Sequence, residues 1–456
     1  MKLTPQEIAA AMRAEVVAEG EPGSPQRGVI ASGDAGPGDL FFGLKGANRD
    51  GGEFAPAAIE AGAWGAVVSP EWRSSFVGDM PIKDERRAWV FVVEDPLAAM
   101  QALARAYRRL LGARVVGVTG SVGKTSVKDI SRALLPGRVH ANRENLNTEI
   151  GLPLTILEAP DETDLLVLEM AMRGKGQIAE LAAIAEPEVA VITNVGPVHV
   201  ELLGSVEAIA AAKAEILDDL PPGGTAVAPV AAGELEPHLA RAPKLLRFGS
   251  GGDVEATEVN VVDGVTEASI STPLGKQTFH FPFTEAHNLT NALAAIAAGV
   301  ALGADLAGMA DRAASIGFSR FRGERLELPC GIVLVNDCYN ANPVSMRAAL
   351  DHLAGLGAER TVAVLGEMGE LGPGSAGHHR EVGAHAREAG VDFVIGVGLP
   401  ARDYDPDELV ADPGEAAGLL AQRLEPGDAV LVKGSRSAGL EAVAAQLPDL
   451  VAAEQG

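Results

Sequence analysis

The chain has 456 residues, 47% hydrophobic and 22% charged, a globular balance that excludes pervasive disorder and predicts about three domains at roughly 150 residues each. Its 37 Lys and Arg face 62 Asp and Glu, and the formal charge of -25 repels polyanions, which argues against nucleic acid or an anionic membrane surface as a partner. Two cysteines, Cys330 and Cys338, give neither a disulfide framework nor a Cys-rich metal site.

The N-terminal stretch "MKLTPQEIAAAMRAEVV" lacks the apolar core of a signal peptide. Residues 1 to about 95 form a small α/β pattern, with "AWGAVVSP" and "AWVFVVED" as short strands and "DGGEFAPAAIEAGA" as a loop and helix. The amphipathic stretch "PLAAMQALARAYRRLLGA" leads into a second domain, 96–318. There "ARVVGVTG", "DLLVLEM", "EVAVITNV" and "GTAVAPV" alternate with helical segments, the signature of a mostly parallel, doubly wound sheet. A turn-rich, antiparallel-looking stretch covers roughly 250–285. The run "NLTNALAAIAAGVALGA" that follows carries Asn and Thr and falls short of the roughly 20 residues a membrane span needs, so it reads as a buried helix. A third α/β domain, 319–456, restarts the alternation with "GIVLVNDC", "RTVAVLGEM", "DFVIGVG" and "DAVLVKGS", each followed by a helical segment. A reduced, cytoplasmic, monomeric protein without a membrane span is the expectation.

Chemistry concentrates where "ARVVGV" runs into "TGSVGKTS" and then a helix. Glycines let backbone N–H groups approach phosphate oxygens, and the helix N-terminus adds partial positive charge. Thr119, Gly120, Ser121, Val122, Gly123, Lys124, Thr125 and Ser126 are therefore the candidate phosphate contacts; Lys124 would reach the outer phosphates and Thr125 would ligate Mg²⁺. The strict G-x-x-x-x-G-K-[ST] frame fails at Val118, where its first glycine belongs. Such a loop serves motors, switches, kinases and ligases alike. Glu169 ends the next buried strand, and Asn194 and His199 follow another, the edge where open α/β sheets place their ligands. Thr125, Glu169 and His199 together offer oxygen and imidazole ligands to Mg²⁺.

With these residues in view the chain resembles the Mur ligase family, and within it the MurF type. The likeness rests on "GVTGSVGKTS", "NLNTEIGLPLTIL", "VLEMAMRGKGQIAELAAIAEPEVAVITNVGPVHVELLGSVEAIAAAKAEIL", "HNLTNALAA", "NDCYNANPVSMRAAL", "LGEMGELG" and "VKGSRSAGLE". It implies an α/β fold of three domains: a small UDP-sugar-binding domain, a central P-loop domain and a Rossmann-like C-terminal domain. It also implies an ATP-dependent ligase that adds D-alanyl-D-alanine to UDP-N-acetylmuramoyl-tripeptide (UDP-MurNAc-tripeptide) through an acyl phosphate, in peptidoglycan precursor synthesis. Two Mg²⁺ ions are implied, one near Thr125 and Glu169 and one near His199, and Lys213 matches a lysine that is carbamylated in several members. Asn288 and Asn291 match positions near adenine and ribose. Arg322 matches a phosphate-binding arginine, with Arg325 as the second candidate, and Asp337 would contact the nucleotide when the domains close. Ser32, Lys45 and Asp50 would lie near the UDP-sugar. Asn145, Asn147, Thr148, Glu149, Tyr339, Asn340, Asn342, Lys433 and Arg436 would shape or neutralise the peptide sites, although N-A-N-P is also good turn and capping chemistry. Departures from the family pattern are Gly52 for a frequent His, Thr148 for Asn and Ala171 for Gly. Another ligase of the superfamily and a non-catalytic nucleotide-binding regulator remain as alternatives, and the third residue of the tripeptide stays open.

Overall fold

The structure, a computed structural model, describes residues 1–76, 87–197 and 200–454. The N-terminal sheet has five strands in the order Glu15–Ala18, Trp89–Val92, Gly65–Val68, Asp39–Phe42 and Arg27–Val29, the first antiparallel to its neighbour and the rest parallel. Only two of these strands were legible from apolar runs. The others are three or four residues long and set among Gly, Pro and Ser, where pattern gives little signal.

The helix Pro96–Leu111 starts at Asp95, whose carboxylate accepts from Leu97 and Ala98 N–H, and stops at Gly112, which adopts a left-handed φ of 62°. Its apolar side does not merely lead from one domain to the next. Met100, Leu103 and Tyr107 join Leu40, Phe42, Val67 and Phe91 of the first sheet and Leu152, Ile156 and Leu157 of the helix Gly151–Glu158 in one cluster. The Tyr107 hydroxyl donates within 2.8 Å to Ala159 O and 2.9 Å to Asp161 Oδ1, so the ring is buried with its polar end satisfied.

The central sheet is wholly parallel, in the order Lys244–Phe248, Thr225–Pro229, Val189–Ile192, Arg114–Thr119, Leu165–Glu169 and Val139–Ala141. Its four inner strands are largely apolar and buried because both faces are covered, while the two edge strands carry Lys244, Arg247 and His140. The first cluster covers one face; the helices Lys124–Leu134 and Ala286–Ala301 cover the other. The second of these is the buried alanine-rich helix, and among the described residues no helix is long and apolar enough to cross a membrane. Beside it lies a three-stranded antiparallel sheet, Glu255–Val262, Val265–Thr272 and Gly275–Phe281.

The last sheet runs Glu324–Glu327, Val333–Asn336, Ala429–Lys433, Thr361–Leu365, Phe393–Val397 and Glu408–Val410, with the first strand antiparallel. The expected strand–helix alternation fails once. After Phe393–Val397 a 3-10 turn, Leu399–Tyr404, and the short edge strand Glu408–Val410 precede the helix Pro413–Arg423.

Candidate functional site

Strand Arg114–Thr119 pairs Val118 with Glu169 and Thr119 with Ile192, which brings three carboxyl strand ends together. The turn that follows tolerates only glycine at two places. A Cβ on Gly120 (φ 152°) would lie 1.9 Å from Thr193 Oγ1, and one on Gly123 (φ 82°) 2.4 Å from Asn291 Oδ1. Ser121 and Val122 N–H both donate to Asn194 Oδ1, at 3.1 and 2.8 Å, so two loop amides converge on one oxygen, the geometry of an anion-receiving nest. Lys124 opens the helix and folds back, donating to Gly120 O at 2.8 Å and Ser121 O at 3.4 Å. Burial lowers the pKa of this ammonium; Glu169 opposes that and Arg322 reinforces it. Ser126 lies in the first turn of the same helix.

Glu169 is 2% exposed and fully engaged. Its Oε2 accepts from the Thr125 hydroxyl at 2.9 Å and its Oε1 from Asn147 Nδ2 at 2.8 Å, while Asn142 clamps its backbone N–H at 2.6 Å and its carbonyl at 3.3 Å. Thr125 Oγ1 accepts in turn from Arg322 Nη2 at 3.1 Å, a contact between residues 197 positions apart. The Arg322 guanidinium stacks 4.0 Å above the Tyr339 ring, and its Nε is buried with no hydrogen-bond partner among the described residues. Of the two candidate arginines, then, Arg322 stands at the loop. Arg325 instead lies on an edge strand, 3.9 Å from Glu327. The residue preceding Arg322, Phe321, adopts a left-handed φ of 63°, unfavourable for a bulky residue by about 1–2 kcal/mol, and its ring lies under the guanidinium groups of Arg320 and Arg436.

Lys213 ends the helix Val206–Lys213 and is 2% exposed, with no carboxylate pairing it among the described residues. Burial first, and the Lys124 charge second, push its pKa well below the usual lysine value. His199 lies outside the described residues. Asn288 is buried, its Oδ1 accepting from Asn291 Nδ2 at 3.3 Å.

Asp337 continues the strand Val333–Asn336 and meets Lys433 Nζ at 2.5 Å. Lys433 is 2% exposed and also donates to Asn340 O, so it ties down the Tyr339–Asn342 turn from within the fold and is not a surface cation. Asn342 likewise departs from expectation: both bonds of its Oδ1 go to Val344 and Ser345 N–H, where it caps the helix Pro343–Ala354. Asn340 Oδ1 accepts from Ala341 N–H, the local turn bond of an Asn, and Arg436 pairs with Glu441 at 3.2 Å.

The N-terminal candidates are not gathered against this cluster. Asp50 caps its own turn through Gly52 N–H at 2.8 Å, Lys45 forms an isolated bridge with it, and Ser32 begins a 3-10 turn. At Gly52 a Cβ would lie 2.3 Å from the Trp72 ring, so the indole occupies the space a larger residue would need. Asn145 is exposed, Thr148 Oγ1 receives Gly151 N–H at 3.4 Å, and Glu149 O accepts from Gln101. Sequence reasoning missed Asn142, 3% exposed in "HANREN", and the buried Lys128–Asp129 pair, whose Asp129 Oδ2 takes Ser319 N–H at 2.8 Å. Neither has a periodicity or motif to betray it.

Comparison with known proteins gives this geometry a setting. Residues 118–299 match the Mur ligase middle domain and residues 321–436 the Mur ligase, glutamate ligase domain. The UDP-N-acetylmuramoyl-tripeptide--D-alanyl-D-alanine ligase of Synechocystis sp. is 39% identical over 430 residues, 90% of this chain and 89% of that protein. The Bacillus subtilis protein of the same name is 37% identical over 432 residues, 90% of each. Among solved structures, MurF from Acinetobacter baumannii superposes with a TM-score of 0.87 at 29% identity, covering 98% of this chain and 99% of that one. The MurF ligase of Thermotoga maritima in complex with ADP gives 0.81 at 30% identity, covering 94% and 98%.

Proposed function

The chain belongs to the Mur ligase family, and from that premise we propose that it is the ATP-dependent ligase that joins D-alanyl-D-alanine to UDP-N-acetylmuramoyl-tripeptide, forming the pentapeptide precursor of peptidoglycan in the cytoplasm. The observation that carries this reading is the Thr125 hydroxyl held between Glu169 and Arg322, because it unites a phosphate loop, a carboxylate and a cation from two lobes.

The tripeptide carboxylate attacks the γ-phosphorus of ATP; a bond to the carboxylate oxygen forms and the bond to the bridging oxygen of ADP breaks. The amine of D-alanyl-D-alanine then attacks the acyl carbon, phosphate leaves and the amine gives up a proton. The first step sets like charges together, at a cost of about 4 kcal/mol per unit pair at 4 Å and an effective dielectric near 20. Lys124, Arg322 and the amides of Ser121 and Val122 oppose that repulsion with fixed positive charge and dipoles. Lobe closure excludes the water that would hydrolyse the acyl phosphate.

Thr125 and Glu169 supply one hydroxyl and one carboxylate oxygen, a hard but incomplete donor set that suits Mg²⁺, which keeps most of its coordination for phosphate and water. Bound there, Mg²⁺ would neutralise charge between the phosphates. A second ion is proposed beside His199 and Lys213. An uncharged, buried Lys213 amine can bond CO₂ and release a proton, which converts a cation into a carbamate ligand; the depressed pKa supports that step. Asn288 and Asn291 are assigned to the nucleoside, Ser32, Lys45 and Asp50 to the UDP-sugar, and the Asn145–Glu149 segment with Tyr339 to the peptide. The enzyme is proposed to act as a monomer, with domain limits near 95 and 318.

The decisive assay supplies ATP, Mg²⁺, UDP-N-acetylmuramoyl-tripeptide and D-alanyl-D-alanine. Phosphate release should require both co-substrates, and the pentapeptide should appear by mass spectrometry. Failure to form it, or phosphate release indifferent to the dipeptide, overturns the assignment.

A further inference from the structure

The helix Ala286–Ala301 carries Asn288 and Asn291, and the residue just before it, Glu285, touches both lobes at once. Its Oε2 accepts from Thr284 N–H at 3.2 Å and from Asn288 Nδ2 at 3.4 Å. Its Oε1 lies 3.4 Å from Nε2 of His352, and both side chains are only 13% exposed. His352 belongs to the last turn of the helix Pro343–Ala354, whose first turn Asn342 caps. That helix therefore runs from the Tyr339–Asn342 turn to the seam between the lobes.

On the other side, Asn288 Oδ1 takes Asn291 Nδ2 at 3.3 Å, and Asn291 Oδ1 fills the space that a side chain on Gly123 would need. A continuous polar chain thus joins the phosphate loop to the C-terminal lobe: Gly123, Asn291, Asn288, Glu285, His352. From Asn291 to His352 each side chain contacts the next, Asn291 packs against the Gly123 backbone, and the central Asn288 is 4% exposed, so a shift at one end displaces the other. The groups that face this seam are Glu285, Asp337 and Arg325 around His352, with His287 and Lys433 beside them. Burial lowers the pKa of His352, so near neutral pH it meets the Glu285 carboxylate as an uncharged ring that can donate a single N–H.

We infer that Glu285 and His352 are positioning residues that couple the nucleotide site to lobe closure: docking of His352 on Glu285 fixes the Asn288–Asn291 pair against the phosphate loop. Coupling of this kind is reciprocal. A nucleotide that orders Asn288 and Asn291 favours the closed lobes, and closed lobes tighten nucleotide binding by the same factor. The inference rests on the nucleotide-binding part of the proposed function, and its test needs no turnover.

Binding of a non-hydrolysable ATP analogue is measured by calorimetry for wild type, Glu285→Ala, His352→Ala, His352→Gln and the double alanine variant, alongside radius of gyration with and without analogue and the melting temperature of each. The expected result is that each single alanine variant weakens the analogue about fivefold or more, that the double variant is no weaker than the worse single one, and that the compaction on binding shrinks. His352→Gln, which retains an N–H donor, should recover most of the affinity at an unchanged melting temperature. If His352→Ala binds within twofold of wild type, or if the two losses multiply, the coupling does not exist. Should Glu285→Ala fail to fold, the His352 pair alone decides in the same way. If the variants lose analogue affinity as expected while the wild-type chain makes no pentapeptide, the ligase reading fails and the coupling stands.

Discussion

The central sheet carries clustered charge at both ends, and the ends differ. At the amino ends of its strands Arg105, Arg108 and Arg109 converge on Glu186, and Arg114 pairs with Glu188 at 2.6 Å, around a cavity of about 630 Å³. At the carboxyl ends Lys213 and Arg322 have no carboxylate partner among the described residues, and Glu169 accepts from a hydroxyl and a side-chain amide. At the amino ends each of these arginines has a carboxylate within ion-pair distance; at the carboxyl ends two buried or half-buried cations have none among the described residues. A surface ion-pair cluster answers its own charges and asks nothing of a ligand. Cations held in a poorly solvated cleft without counter-charge gain most when an anion arrives.

The comparison can be broken or sharpened by substitution at each end. The largest effect is expected for Lys124→Ala, which removes the one ammonium inside the loop. Phosphate release should fall on the order of 10²–10³-fold or more, with melting temperature nearly unchanged, and a loss under tenfold would mean that the loop amides alone hold the phosphates. Next comes Lys213→Met. Removing a buried, unpaired amine should raise stability by about 1 kcal/mol in thermal unfolding, while turnover collapses, and bicarbonate should no longer stimulate activity. A variant that is less stable would show that Lys213 is satisfied in the fold. The smallest effect belongs to the opposite end. Arg109→Ala removes an exposed member of the Glu186 cluster and should change stability by less than about 1 kcal/mol and turnover by less than twofold. A larger change in turnover would make the amino-end charge cluster functional and erase the contrast.

Much of the phosphate-loop end was legible because it is local. The strand, glycines and Lys124–Thr125 pair are consecutive, and each strand-end residue directly follows an apolar run. What stayed hidden depends on partners far along the chain. Asn142 gives no pattern, yet it clamps Glu169; the Arg322 and Arg325 choice turns on which of two nearby residues faces the loop. Asn342 lies in a strand-to-helix turn, where polar residues serve ligands and caps equally well, and Lys433 follows an apolar run that does not show what its ammonium meets. Only their partners, the first-turn amides and Asp337, distinguish the two uses.

By itself, then, the sequence determined the sheet class and the phosphate loop, since an apolar strand, a glycine-bracketed turn and a helix start are all written in consecutive residues. The tertiary structure decided which charges are answered and which are not. The Arg322–Thr125 and Glu285–His352 contacts are set by distances between lobes and the Lys433–Asp337 pair by the fold of the C-terminal lobe, and electrostatic energy in a low-dielectric interior depends on those distances, which no spacing along the chain encodes.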